Sequence, residues 1–178
     1  MKKLSILTLA FVILVPMLLA SCNKNDIVGS YEYSKEDAEK FGDKEDDETP
    51  DGLETGAGQL NLEKDGSFTL TQSESIEFEN VGTNFKVEVE ATGEWEFEGL
   101  DKDFKLRCKD FEVKSVKGKL YGEPINSSTR KEIKAQLKDE TDIYDINERF
   151  KGMKVIEIDD DGFTVKEADN DKIRFNRV

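Results

Sequence analysis

Glu157, Asp159, Asp161 and Gly162 occupy the first, third, fifth and sixth places of a calcium-loop template, in which alternating carboxylates converge on one hard cation. The twelfth place requires a bidentate glutamate and holds Ala168, while Ile156 and Ile158 alternate with the acids as strand residues do. A hairpin turn explains this stretch better than a metal loop. The run Asp43 to Glu48 is also acidic, but catalytic carboxylate pairs need a fixed separation and one member with a raised pKa. A solvated run supplies neither. Gly56-Ala57-Gly58 is too short, and too far from any basic residue, to cradle a phosphate. Histidine is absent from the chain, which removes histidine metal sites, Ser-His and Cys-His nucleophiles and histidine pH switches together. Cys108 shares one strand parity with Phe104 and Leu106, so its sulfur is expected among apolar neighbours rather than at a reactive surface. No catalytic residue, cofactor or metal site is expected, and the chain does not read as an enzyme.

The other cysteine sits in a different context. Lys2 and Lys3 precede an unbroken apolar run from Leu4 to Ala20, which closes in Leu19-Ala20-Ser21-Cys22. A basic start, an apolar middle and a small residue before the cut describe a secretory signal peptide. An uncleaved helix is the other reading, but the run is short for a bilayer and Pro16 interrupts its end. The Leu-Ala-Ser-Cys ending resembles the lipobox of bacterial lipoproteins, and that resemblance implies lipidation of Cys22 and attachment to the membrane through an N-terminal lipid. The expected organisation is a signal peptide at residues 1–21, a lipid-anchored tether at 22–26 and a single domain at 27–178. The expected location is the cell envelope, at the outer membrane, with the periplasmic or surface face left open. With Cys22 consumed, no intrachain disulfide can form.

The whole chain carries a formal net charge of −14. Loss of the leader with its two lysines makes the remainder more acidic still. Such a surface repels phosphate backbones, so no nucleic-acid partner is expected. The pattern specifies no oligomeric state.

From Ile27 onward the periodicity is mostly two-residue. Ile27 to Tyr33 reads as a first strand, Ser34 and Asp37 as a capping pair for a brief helix, and Gly42 to Gly58 as a loop. Leu60 and Leu62 alternate into the turn Lys64-Asp65-Gly66 and out through Phe68 and Leu70; opposing Leu62 to Phe68 buries all four on one face. Ile76 and Phe78 read as a further short strand. Phe85, Val87, Val89, Ala91, Trp95 and Phe97 then keep one parity, with Gly93 midway at an expected bend. The opposite face, Glu88 to Glu98, needs cations from the returning strand, and a pair such as Glu96 with Arg107 would supply one. Parity slips between Cys108 and Phe111, which predicts a bulge or a tight turn. Asn126 to Phe150 is helical, with a capping box at Thr129 and Glu132 and a break near Asp139–Asp142. Three short strands close the chain, at 155–158, 163–165 and 173–175.

Many short antiparallel strands with one main helix predict an up-and-down β-barrel, or alternatively a β-sandwich. Ile27-Val28-Gly29-Ser30-Tyr31 resembles the Gly-x-Trp strand that opens lipocalin barrels, with tyrosine in place of tryptophan. Lys172 to Val178 resembles the Phe-x-Arg closing strand of lipocalin-like lipoproteins of gut-dwelling Gram-negative bacteria. The resemblance implies a lipocalin-like fold with Tyr31 packed near Arg177 or Arg174. It also implies an interior for a small apolar or amphipathic ligand, lined by Tyr31, Phe68, Phe85, Trp95 and Phe97. The alternative is a filled domain whose outer surface meets a protein or a glycan.

Overall fold

The computed structural model describes residues 24–40, 53–78, 82–98, 102–167 and 171–178. Cys22, its leader and the acidic run 43–48 lie outside the described residues. A 3-10 turn at Lys24–Ile27 leads into β1 (Gly29–Tyr33) and α1 (Lys35–Lys40); β2 (Leu53–Leu62), β3 (Ser67–Phe78), β4 (Thr83–Glu98) and β5 (Asp103–Leu120) follow. The remainder is β6 (Glu123–Pro124), α2 (Ser127–Glu140), α3 (Ile143–Arg149), β7 (Lys154–Asp159), β8 (Gly162–Lys166) and β9 (Lys172–Arg177). All strands join one antiparallel sheet in the order β4-β3-β2-β1-β9-β8-β7-β5-β6, and β4 pairs with β5 as well. The fold is mostly β, with few helices.

The first hairpin has the expected register, Leu62 opposite Phe68 and Leu60 opposite Leu70, and all four side chains are buried. β3 does not stop there. It continues to Phe78 because β4 offers a partner at every position, from Glu94 opposite Ser67 to Thr83 opposite Phe78. The separate strand expected at Ile76 and Phe78 is therefore the end of β3. At the other end of the domain Ile27 is not strand but the last residue of the 3-10 turn, and it is fully buried.

Between β4 and β5 the register sits two residues from the expected pairing: Glu94 faces Arg107, and Glu96 faces Lys105. The apolar rungs Trp95–Leu106 and Phe97–Phe104 lie on the same ladder, so burial on the other face sets it. The parity slip is a bulge, not a turn. Thr92 pairs with Asp110 and Gly93 with Cys108, leaving Lys109 as the extra residue while β5 continues to Leu120. A side chain at Gly93 would strike the Arg107 carbonyl oxygen and crowd the Phe68 ring, so the close approach there requires glycine.

The length of β4 and β5 divides the core in two. The larger cluster runs from Ile27, Tyr31 and Tyr33 through Leu60, Leu62, Phe68, Trp95, Phe97 and Phe104 to Phe163, Val165, Ile173 and Phe175. The smaller one gathers Phe85, Val87, Val113, Val116 and Ile125 at the far end of β4 and β5, where Ile133 and Leu137 of α2 cover it. Asn126 caps α2, its side chain accepting the N–H groups of Ser128 and Thr129, so the helix begins earlier than the Thr129 box implies. Glu132 instead accepts a bond from the Ser128 hydroxyl. The break falls at Thr141, and Asp142 caps α3 through the Tyr144 N–H.

Candidate functional site

Four of the five residues expected to line an interior meet in the larger cluster: Tyr31, Phe68, Trp95 and Phe97. Phe85 belongs to the smaller cluster under α2. Strand parity places Phe85 on the same face as Phe97, but β4 is long enough to carry the two into different cores.

Tyr31 stands opposite Arg177 where β1 pairs with β9. The Arg177 guanidinium donates to the Tyr31 hydroxyl at 3.2 Å and to the Asp26 carbonyl at 3.0 Å, with its carbon 5.6 Å from the ring centroid. Burial raises the Tyr31 pKa, and Arg177 opposes part of that rise. One residue thus ties the last strand to both the first strand and the 3-10 turn. On the adjoining side Trp95 donates its indole N–H to the Glu63 carbonyl at 2.9 Å, and the Lys24 ammonium lies 4.5 Å from its ring centroid.

Within the cluster the rings pack on one another. Tyr31 meets Phe163 edge-on at 4.8 Å between centroids, and Phe163 stacks on Phe175 at 4.9 Å. Phe104 meets Phe163 at 5.6 Å and Tyr33 meets Phe175 at 5.7 Å, both edge-on. Trp95, Tyr31, Tyr33, Phe68, Phe104, Phe163 and Phe175 are the largest of the fully buried side chains.

An open cleft of about 430 Å³ lies among β1, β2, β3 and β4, lined by Glu32, Tyr33, Ala57, Gly58, Gln59, Thr71, Ser73 and Glu88. None of the five expected residues lines it. It lies beside the bulge between Thr55 and Gly58. Tyr33 crosses directly over Gly58, where a side chain would collide with its hydroxyl, and that hydroxyl bonds Gln72 at 3.3 Å. Burial, with Glu74 adding to it, pushes the Tyr33 pKa far up.

The calcium template forms the β7–β8 hairpin, with Asp159 opposite Gly162. Arg174 occupies the Asp159 carboxylate at 2.6 Å, and this hydrogen bond holds the carboxyl below its ordinary pKa. Among the described residues no group of three or more His, Cys, Asp or Glu side chains is placed to hold a metal. Cys108 is buried, its thiol 3.3 Å from the Asp110 carbonyl, and burial raises its pKa. No described helix is long and apolar enough to cross a membrane.

No protein-family model matches the sequence, and comparisons with curated proteins and with solved structures give no match.

Proposed function

We propose that this chain is an exported, lipid-anchored protein of the cell envelope whose β-domain closes as a barrel, fills with its own side chains and acts through its outer surface on a protein or a glycan. The observation that carries this reading is the interior itself. Tyr31, Phe163, Phe175, Phe104 and Tyr33 occupy it ring against ring, with Ile27 buried beside them. Closure is supported by the pairings that return the sheet to its start: β1 with β9, β4 with β5, and β5 with β7. The Tyr31–Arg177 contact supports a lipocalin-like arrangement of first and last strands. The anchor reading rests on Cys22 and the apolar segment before it, and it sets the domain on a very short tether at the outer membrane.

Native mass spectrometry of residues 23–178 after incubation with envelope extract tests the filled interior. The expected spectrum carries the mass of the polypeptide alone. A retained small molecule released on denaturation would instead establish carriage of an apolar or amphipathic ligand. Replacing Cys22 with alanine is expected to move the protein out of the membrane fraction with its domain folded; continued membrane association would refute the lipid anchor.

A further inference from the structure

We propose that the free end of the β4–β5 ladder, where Tyr121 follows the stretch of β5 that carries Lys117 and Lys119 and Lys86 lies opposite Lys117, is a contact site for an anionic polysaccharide. The inference deepens the surface-acting reading by naming a place and a partner chemistry.

The first observation is backbone strain spent on an exposed ring. Leu120 pairs with Glu123, so Tyr121 and Gly122 form a two-residue reversal with φ of +54° and +82°. A reversal with both central residues at positive φ favours Asn, Asp or Gly at the first place, because a larger side chain crowds its own backbone there. Tyrosine occupies it nonetheless, and 73% of its surface faces solvent, so burial offsets nothing. The conformation is held from below. The Tyr121 N–H donates to the buried Thr83 hydroxyl at 3.2 Å, and the Gly122 N–H to the Gly82 carbonyl at 2.7 Å. Strain that displays a ring to water points to something the ring meets.

The second observation is charge. Along most of the ladder the cations of β5 are answered: Lys105 by Glu98, Lys109 by Glu94, Lys114 by Glu90 and Glu112. The glutamate series of β4 ends at Glu88, and the next residue on that face is Lys86, directly opposite Lys117. Lys119 follows, opposite Asn84. Like charges facing each other across a ladder destabilise it. All three lysines are exposed, and none takes part in the ion pairs formed between described residues. The described carboxylates nearby are Glu88, two residues from Lys86 on the same face, Glu77, which bonds Asn84 at 3.1 Å, and Glu123 beyond the reversal. On a chain of net charge −14 this is a local concentration of lysines that face no carboxylate across the ladder.

The two features lie at the same end of the β4–β5 ladder, far from the N-terminal turn. Lys24 sits against Trp95, and from Trp95 to Thr83 the strand covers about 40 Å at its usual rise. A polymer of acidic sugars matches the pair: a pyranose presents an apolar C–H face to the tyrosine ring, and acids on neighbouring sugars reach the lysines. The denser charge of a nucleic acid meets greater repulsion from the acidic body of the domain.

The test uses the full chain in detergent, with binding to immobilised alginate compared with neutral dextran and a single-stranded oligothymidylate. Alginate is expected to bind at least tenfold more tightly than each of the others, with binding weakened by salt. Tyr121→Asn suits the reversal better, so it should fold at least as stably while losing alginate binding at least tenfold. Lys86→Gln, Lys117→Gln and Lys119→Gln combined should do the same. Equal binding to dextran, tighter binding to the oligonucleotide, or unchanged binding by folded variants would overturn the site. A small molecule retained in the native spectrum would overturn the filled interior and leave this result untouched, so the two failures are separable.

Discussion

Asn147 of α3 supplies a ladder rung to Cys108 of β5: its Oδ1 accepts the Cys108 N–H at 2.7 Å, and its Nδ2 donates to the Cys108 carbonyl at 3.1 Å. The contact falls beside the Lys109 bulge. β7 pairs with β5 only at Asp103, and β6 only near Leu120. The side-chain amide thus satisfies a partly buried backbone donor and acceptor that the sheet leaves open there. Asn147→Leu removes both bonds without removing bulk, and should cost about 1–3 kcal/mol in urea unfolding. An unchanged unfolding midpoint would show that water replaces the amide at no cost.

Gly93 and Gly122 should respond differently to alanine. At Gly93 the new methyl meets the Arg107 carbonyl, which cannot move without breaking the β4–β5 ladder. Gly122 faces open space and has only its φ of +82° to strain. Gly93→Ala is therefore expected to cost about 3 kcal/mol or more, and Gly122→Ala about 1 kcal/mol. Equal losses by denaturant titration would contradict the close approach at Gly93.

The sequence resolved those parts of the fold in which pattern is local. Leu60, Leu62, Phe68 and Leu70 could be registered because a short turn lies between two alternating runs. The last three strands and the break between α2 and α3 were legible for the same reason. Parity gives a residue's face but not its distance along the sheet, so it groups Phe85 with Phe97 although the two lie in different cores. The Glu94–Arg107 register depends on how many residues the connection to β5 uses, which periodicity does not encode. Tyr33 crossing Gly58, Lys24 over Trp95 and the rung made by Asn147 are long-range contacts with no local pattern. Tyr121 could have been noticed only as a tyrosine before a glycine, a pair that does not by itself announce a reversal.

Arg177 should hold the N-terminal turn in place. It reaches both the Tyr31 hydroxyl and the Asp26 carbonyl, so Arg177→Met severs the turn from β1 and β9 at once. Amide exchange at Asn25 to Val28 is expected to quicken, while exchange in β3 and β4 stays as it was. Uniform change across the domain would mean that Arg177 supports the whole sheet and not the turn.

Cys108 should be chemically silent until the domain opens. Burial pushes its thiol above the usual value, and the thiolate is the reactive form. At pH 8 in the native state, labelling by an aromatic disulfide reagent is expected to follow the rate of opening. It should become immediate in denaturant. Fast native labelling would place the sulfur at an accessible surface.

The ion pair of Asp159 with Arg174 gives the domain an acid-sensitive component of stability. The Arg174 hydrogen bond lowers the Asp159 pKa in the folded state, and the guanidinium's charge adds to the effect. A carboxyl depressed on folding releases its proton more readily when folded than when unfolded. Its stabilisation is therefore complete above the unfolded value of about 4, and is lost as pH falls through the lower folded value. Other carboxylates share this behaviour, Glu94 beside Lys109 among them, so the wild-type curve alone does not isolate the pair. The difference between wild type and Asp159→Asn does. Urea midpoints measured from pH 6 down to pH 2.5 should differ most at the upper end, and converge as Asp159 becomes protonated in both states. A gap that stays constant with pH would show that Asp159 contributes through the shape of its hairpin, a role that asparagine fails to reproduce at any pH, and not through its charge.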